Sequence, residues 1–177
     1  HSYKIDCIVV RDKHAGAPYI VTQNSPARVI CAGDGKHNHP TQALLDLYTI
    51  WQHKGAFHGL QVAVVGDISH SRVCGSLIPA LKIMGCETYA VAPGTQLPPA
   101  PEVLGCDHVT SALDSVLPEL DVVYMLRVQL ERMEGASIPS RREYNRLWGL
   151  DMARVNKMRP EAIICHPGPM NRGMEIN

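Results

Sequence analysis

Four short polar stretches carry residue types suited to handling anions: "GDGKHNHPTQ" (33–42), "DISHSR" (67–72), "RVQLER" (127–132) and "HPGPMNRG" (166–173). Arg11, directly after "CIVV", is a fifth element of the same kind. An arginine at the start of a helix is usually a solvated charge, and Gly-Asp-Gly is an ordinary turn. Arg127 is different. It follows five apolar residues of a strand-like run, "VVYML", where a desolvated guanidinium needs an anionic partner. Gln129 has the strand period that sends it to the same side. Arg72 and Arg127 on neighbouring strand ends would suit a dicarboxylate, because each planar guanidinium can grip one carboxylate with two parallel hydrogen bonds.

The pattern around these stretches is that of a sheet protein. "LQVAVVGD" (60–67), "CETYAVAP" (86–93), "DVVYML" (121–126) and "AIICHPGP" (162–169) have the uninterrupted apolar character of parallel strands covered on both faces. Helical spacing fills the gaps, over 71–85, 110–120 and 150–158, with Pro79 interrupting the first. Such alternation predicts an α/β fold with a doubly wound parallel sheet, whose ligands sit beyond the carboxyl ends of the strands. Before it come strands over 4–11 and 28–35 and a helix from Thr41 to about Lys54. Two strands and one helix are too little to close a domain, so residues 1–40 are expected to be the trailing edge of a second α/β domain. The absence of a helix after the last strand adds to the expectation of a fragment.

Composition narrows the function classes. Seventeen basic residues balance seventeen acidic ones, which leaves no net field to recruit nucleic acid or a membrane surface. No apolar run approaches the roughly 20 residues that span a bilayer, and no signal peptide opens the chain, so a cytoplasmic location is expected. The six cysteines form no C-x-x-C pair and are expected to be reduced, buried thiols. His37 and His39 lack the i, i+4 spacing and the carboxylates of a zinc site, so no metal is expected. After Gly66 the next glycine is Gly75, which excludes a dinucleotide fingerprint, and "GDGK" lacks the spacing of a phosphate-binding P-loop.

"HPTQALLDLYTI", "RVQLERM" and "HPGPMNRG", in this order around "VAVVGDISHSR", resemble the catalytic chains of the aspartate carbamoyltransferase family, over about residues 8–176. The resemblance implies an aspartate/ornithine carbamoyltransferase-like fold. Residues 1–40 would be the C-terminal part of a carbamoyl phosphate-binding domain, 41–54 an interdomain helix, 55–165 an aspartate-binding domain and 166–177 a return segment toward the first domain. It implies transfer of a carbamoyl group from carbamoyl phosphate to the amine of L-aspartate, in pyrimidine biosynthesis, without metal or organic cofactor. His39 and Arg11 would be catalytic. Arg11, His39 and Gln42 would bind carbamoyl phosphate, although the family often has His where Asp12 stands. Arg72, Arg127, Gln129, Gly168 and Pro169 would bind aspartate. The implied assembly is a homotrimer of catalytic chains, alone or with regulatory or dihydroorotase-type chains. The family's Ser-Thr-Arg-Thr-Arg phosphate loop and its Ser/Lys loop do not occur in these 177 residues, so the chain alone is expected to be inactive. A non-catalytic homologue with an assembly or regulatory role is the first alternative. An ornithine carbamoyltransferase, which carries Cys-Leu-Pro where "HPGP" stands here, is the second.

Overall fold

The computed structural model describes residues 4–128 and 140–177. Gln129 therefore lies outside the described residues. The elements, in chain order, are β1 (Cys7–Asp12), α1 (Ala17–Asn24), β2 (Arg28–Asp34), α2 (Pro40–Lys54), β3 (Gln61–Val65), α3 (Cys74–Ile83), β4 (Glu87–Val91), β5 (His108–Thr110), α4 (Leu113–Val116), β6 (Val122–Met125), α5 (Arg141–Trp148), α6 (Met152–Val155) and β7 (Ile163–Cys165).

All described strand pairs are parallel. β1 and β2 form one small sheet, and the second sheet has the order β5-β4-β3-β6-β7. The chain leaves β3 in one direction toward β4 and β5, then returns to place β6 and β7 on its other side. The strand order thus reverses between β3 and β6, which opens a crevice beyond their carboxyl ends.

The two faces of the five-stranded sheet follow from period-two alternation along its central strands. Val62, Val64, Val122 and Tyr124 face the layer of α2 and α3, where Ile50, Leu77, Ile78 and Leu81 complete the core. Ala63, Val65, Val123 and Met125 face the opposite layer with Leu113, Leu117, Leu120 and Leu150. Every residue of β6 is buried, as an apolar strand between two helical layers must be.

β1 and β2 depart from the expectation of fully buried strands. β1 alternates between exposed and half-buried positions, and Val9 and Ile30 are exposed. Helices α1 and α2 both pack against this two-stranded sheet, yet alternate residues of β1 stay exposed. The helix α1 between them was not foreseen. Its eight residues start behind Gly16 with Pro18 in the first turn, and stop at Ser25 before Pro26, a run too short to show a helical period.

Other boundaries are corrected by the same local chemistry. The expected helix over 110–120 begins as strand β5, becomes α4, and finishes as a 3-10 turn at Leu117–Glu119, where Pro118 removes an amide donor. The helix over 150–158 contracts to α6, capped by Asp151, whose side chain accepts from the Arg154 amide. The strand over 162–169 contracts to β7, because Pro167 and Pro169 cannot extend a ladder. Helix α5 was missed although Ser140 caps it by accepting from the Glu143 amide, a capping-box pattern that the sequence displays. The thiols are all free, but only Cys74 and Cys86 are buried; Cys7 is exposed.

Candidate active site

The opening of α2 is set by its residues. Pro40 occupies the first turn, where its missing amide hydrogen costs nothing, and Gly55 ends the helix at φ +73° with its amide donating to the Trp51 carbonyl. His39 sits at the N-cap, and its own amide donates to Ser76 Oγ at 2.9 Å, which joins the α2 entrance to α3.

The preceding Gly-Asp-Gly turn is more than punctuation. Gly33, at φ +134°, lets the Arg72 guanidinium lie over its backbone, with Cζ only 3.0 Å from where a Cβ would stand. Gly35, at φ +53°, approaches Ala15 so closely that a Cβ would fall 2.6 Å from its amide nitrogen. Between them Asp34 accepts from the Gly16 amide at 2.7 Å. Arg72 also donates to the Gly35 carbonyl at 3.4 Å. Arg72, placed by β3, therefore rests on a turn placed by β2.

The loops after β6 and β7 are tied by a fully buried carboxylate. Glu175 accepts from the Val128 amide at 2.7 Å with one oxygen and from the Asn171 amide at 2.7 Å with the other. Asn171 Nδ2 donates both to Glu175 and to the Val128 carbonyl. The backbone immediately after Arg127 is thereby fixed against the "HPGPMNRG" loop. Within that loop the Gly168 amide donates to His166 Nδ1 at 2.8 Å.

These elements converge on one cavity of about 190 Å³. Arg11, His39, Gln42, Arg72, Arg127, Gly168 and Pro169, seven of the eight residues singled out from the sequence, line it. Ser71, Val73 and Pro167 line it too and were not singled out; each directly adjoins a residue that was. Asp12 does not line it, and its carboxylate accepts from the His14 amide at 2.8 Å. Three guanidinium groups and no carboxylate line the wall among the described residues. The N-terminus of α2 adds its partial positive charge, so the cavity is shaped for an anion with several negative charges. Burial holds His39 below its ordinary pKa, and the charges of Arg72 and then Arg11 add to that shift. The shift favours the neutral imidazole, which has one nitrogen to donate and one to accept.

Two family models together match most of the chain. The model of the aspartate/ornithine carbamoyltransferase Asp/Orn binding domain matches residues 58–177, and that of the carbamoyl-P binding domain matches residues 1–52. The chain belongs to the aspartate/ornithine carbamoyltransferase family. It is 51% identical over 173 residues to an aspartate carbamoyltransferase catalytic subunit from Rhodospirillum centenum, which covers 98% of this chain and 54% of that protein. It is 49% identical over 178 residues to the catalytic subunit from Gluconacetobacter diazotrophicus, covering 100% of this chain and 55% of that protein. Among solved structures, aspartate transcarbamoylase from Trypanosoma cruzi in complex with carbamoyl phosphate superposes with a TM-score of 0.85 at 29% identity, covering 97% of this chain and 57% of that one. The complex of the same enzyme with N-(phosphonacetyl)-L-aspartic acid gives 0.81 at 29% identity, covering 97% and 55%. This carbamoyltransferase-family chain spans about half the length of the curated relatives it matches.

Proposed function

We propose that the protein carrying this chain transfers the carbamoyl group of carbamoyl phosphate to the amine of L-aspartate, giving N-carbamoyl-L-aspartate and phosphate. The carrying observation is the cavity in which three arginines, a histidine and a glutamine meet between the segments that match the two family domains. The identity of about 50% to aspartate carbamoyltransferase catalytic subunits favours aspartate over ornithine as acceptor. Two guanidinium groups, Arg72 and Arg127, match the two carboxylates of aspartate, and ornithine has only one.

In this reading the uncharged amine of aspartate attacks the carbamoyl carbon. A new C–N bond forms, negative charge grows on the carbonyl oxygen, the carbon–oxygen bond to phosphate breaks, and phosphate leaves taking up the proton that the amine gives up. His39 and Arg11 donate to the oxygen where charge develops, which is stabilisation by donors already in place. Gln42 holds the carbamoyl end of the donor. Backbone carbonyls at Gly168 and Pro169 orient the amine, and Gln129 steers Arg127 and the substrate. Residues 1–40 serve as the C-terminal part of the carbamoyl phosphate-binding domain, 41–54 as the interdomain helix, 55–165 as the aspartate-binding domain and 166–177 as the return segment. The working assembly is a cytoplasmic homotrimer.

The test is colorimetric detection of ureido product with L-aspartate or L-ornithine as acceptor. Product from aspartate, with succinate competing, is the expected result. Preferential carbamoylation of ornithine would overturn the two-arginine assignment.

A further inference from the structure

Beneath Gln42 lies a buried carboxylate that the reaction itself does not use. Asp46 stands one helical turn further along α2 and is only 5% exposed. It receives two hydrogen bonds: Gln42 Nε2 donates to one oxygen at 3.0 Å, and the Tyr124 hydroxyl donates to the other at 2.6 Å. Tyr124 is fully buried on β6, three residues before Arg127. Burial raises the Asp46 pKa, and the bonds from Tyr124 and Gln42 act against that rise by favouring the ionised form.

An ionised carboxylate can only accept hydrogen bonds. With the Tyr124 hydroxyl donating to one oxygen of Asp46, Gln42 turns its NH2 toward the other, which leaves its carbonyl oxygen as the polar end for the cavity that Gln42 lines. An unanchored amide would present donor or acceptor indifferently. We propose that Asp46 is a positioning residue that fixes the polarity of Gln42, so that the site selects a donor bearing a hydrogen-bond-donating NH2 over an isosteric donor ending in CH3. Tyr124 holds the other oxygen of Asp46 and so ties this selection to the strand that carries Arg127. The inference rests on the carbamoyl transfer proposed above and assigns a role to residues outside the cavity wall.

The protein carrying this chain tests it directly. Acetyl phosphate has the same phosphate as carbamoyl phosphate and a methyl group in place of the NH2. The measured quantity is the inhibition constant of acetyl phosphate divided by the KM of carbamoyl phosphate, in parent, Asp46→Asn and Tyr124→Phe proteins, with a thermal melt of each. Asp46→Asn can offer its own NH2 to Gln42 and let the glutamine reverse. It should lower the ratio about tenfold, the worth of one neutral hydrogen bond, with little change in the KM for L-aspartate. Tyr124→Phe should lower it in the same direction by a smaller factor. Should Asp46→Asn not fold, the Tyr124→Phe ratio decides alone. An unchanged ratio in the variants that fold, including an equal weakening of acetyl phosphate and carbamoyl phosphate binding, overturns the proposal. Parent protein that makes no carbamoyl-aspartate overturns the underlying reading as well, and that outcome is distinguishable because it appears before any substitution.

Discussion

Gly75→Ala would place a wedge at the point where the two parts of the site touch. Gly75 lies in the first turn of α3, and a Cβ there would fall 2.3 Å from the His37 carbonyl oxygen and 3.3 Å from Asn38 Oδ1. Carbon and carbonyl oxygen approach to about 3.3–3.6 Å at closest, so the His37 backbone must retreat by about 1 Å. The retreat carries His39 with it and stretches the 2.9 Å bond from its amide to Ser76 Oγ beyond hydrogen-bond range. Overpacking at about 1–3 kcal/mol plus one lost hydrogen bond at about 1 kcal/mol gives an expected destabilisation of about 2–4 kcal/mol. The same displacement of a group at the reacting centre should lower kcat/KM about 100-fold. The assay is thermal denaturation and carbamoyl-aspartate formation, with Gly94→Ala as control, because a Cβ at Gly94 meets nothing within 4 Å. The control should stay within about 0.5 kcal/mol of the parent. A Gly75→Ala protein that melts and turns over like the control would refute the reasoning.

Three further outcomes follow from the geometry. Arg127→Ala should cost about 2–5 kcal/mol of transition-state binding, expressed in the aspartate dependence, because a carboxylate in the cavity loses its guanidinium; an unchanged aspartate KM and kcat would return Arg127 to the status of a solvated charge. His39 should titrate below about 6.5 in a proton NMR titration, and Arg72→Gln should move it upward. Because its folded pKa is depressed, the stability linked to His39 is present above about pH 6.5 and is lost as pH falls through the folded value. Arg154→Met should destabilise by about 2–4 kcal/mol, since buried Arg154 donates to Asp114 and to the carbonyls of Arg146, Leu147 and Gly149 at the end of α5. Hydrogen bonds from Arg154 and then Lys157 hold Asp114 at about 2, so its contribution is present above about pH 3.9 and disappears as pH falls to about 2. An acid-denaturation curve that Arg154→Met leaves unmoved would contradict that linkage.

The sequence alone was sufficient where local rules decide. Apolar runs marked the parallel strands β3, β4 and β6, because a strand covered on both faces is predominantly apolar. Pro40 and Gly55 bounded α2 because each suits only one end of a helix. Arg72 and Arg127 stood out because cations soon after apolar strands sit at the carboxyl ends where such sheets leave a crevice, whereas His39, Gln42, Gly168 and Pro169 were named through the family resemblance; all six line the same cavity as Arg11. Tertiary structure decided what depends on chain segments far apart. Asp46 reads as an ordinary acidic residue on a helix until Tyr124, 78 residues later, supplies its second hydrogen bond. Glu175 joins the loops after β6 and β7 from 47 residues beyond Val128, and no local pattern encodes that pairing. Gly33 looks like a turn glycine until the Arg72 guanidinium lies across it. Residue types and spacings report on a chain's nearest neighbours, whereas buried carboxylates and backbone close approaches acquire their meaning only from partners that the fold brings to them.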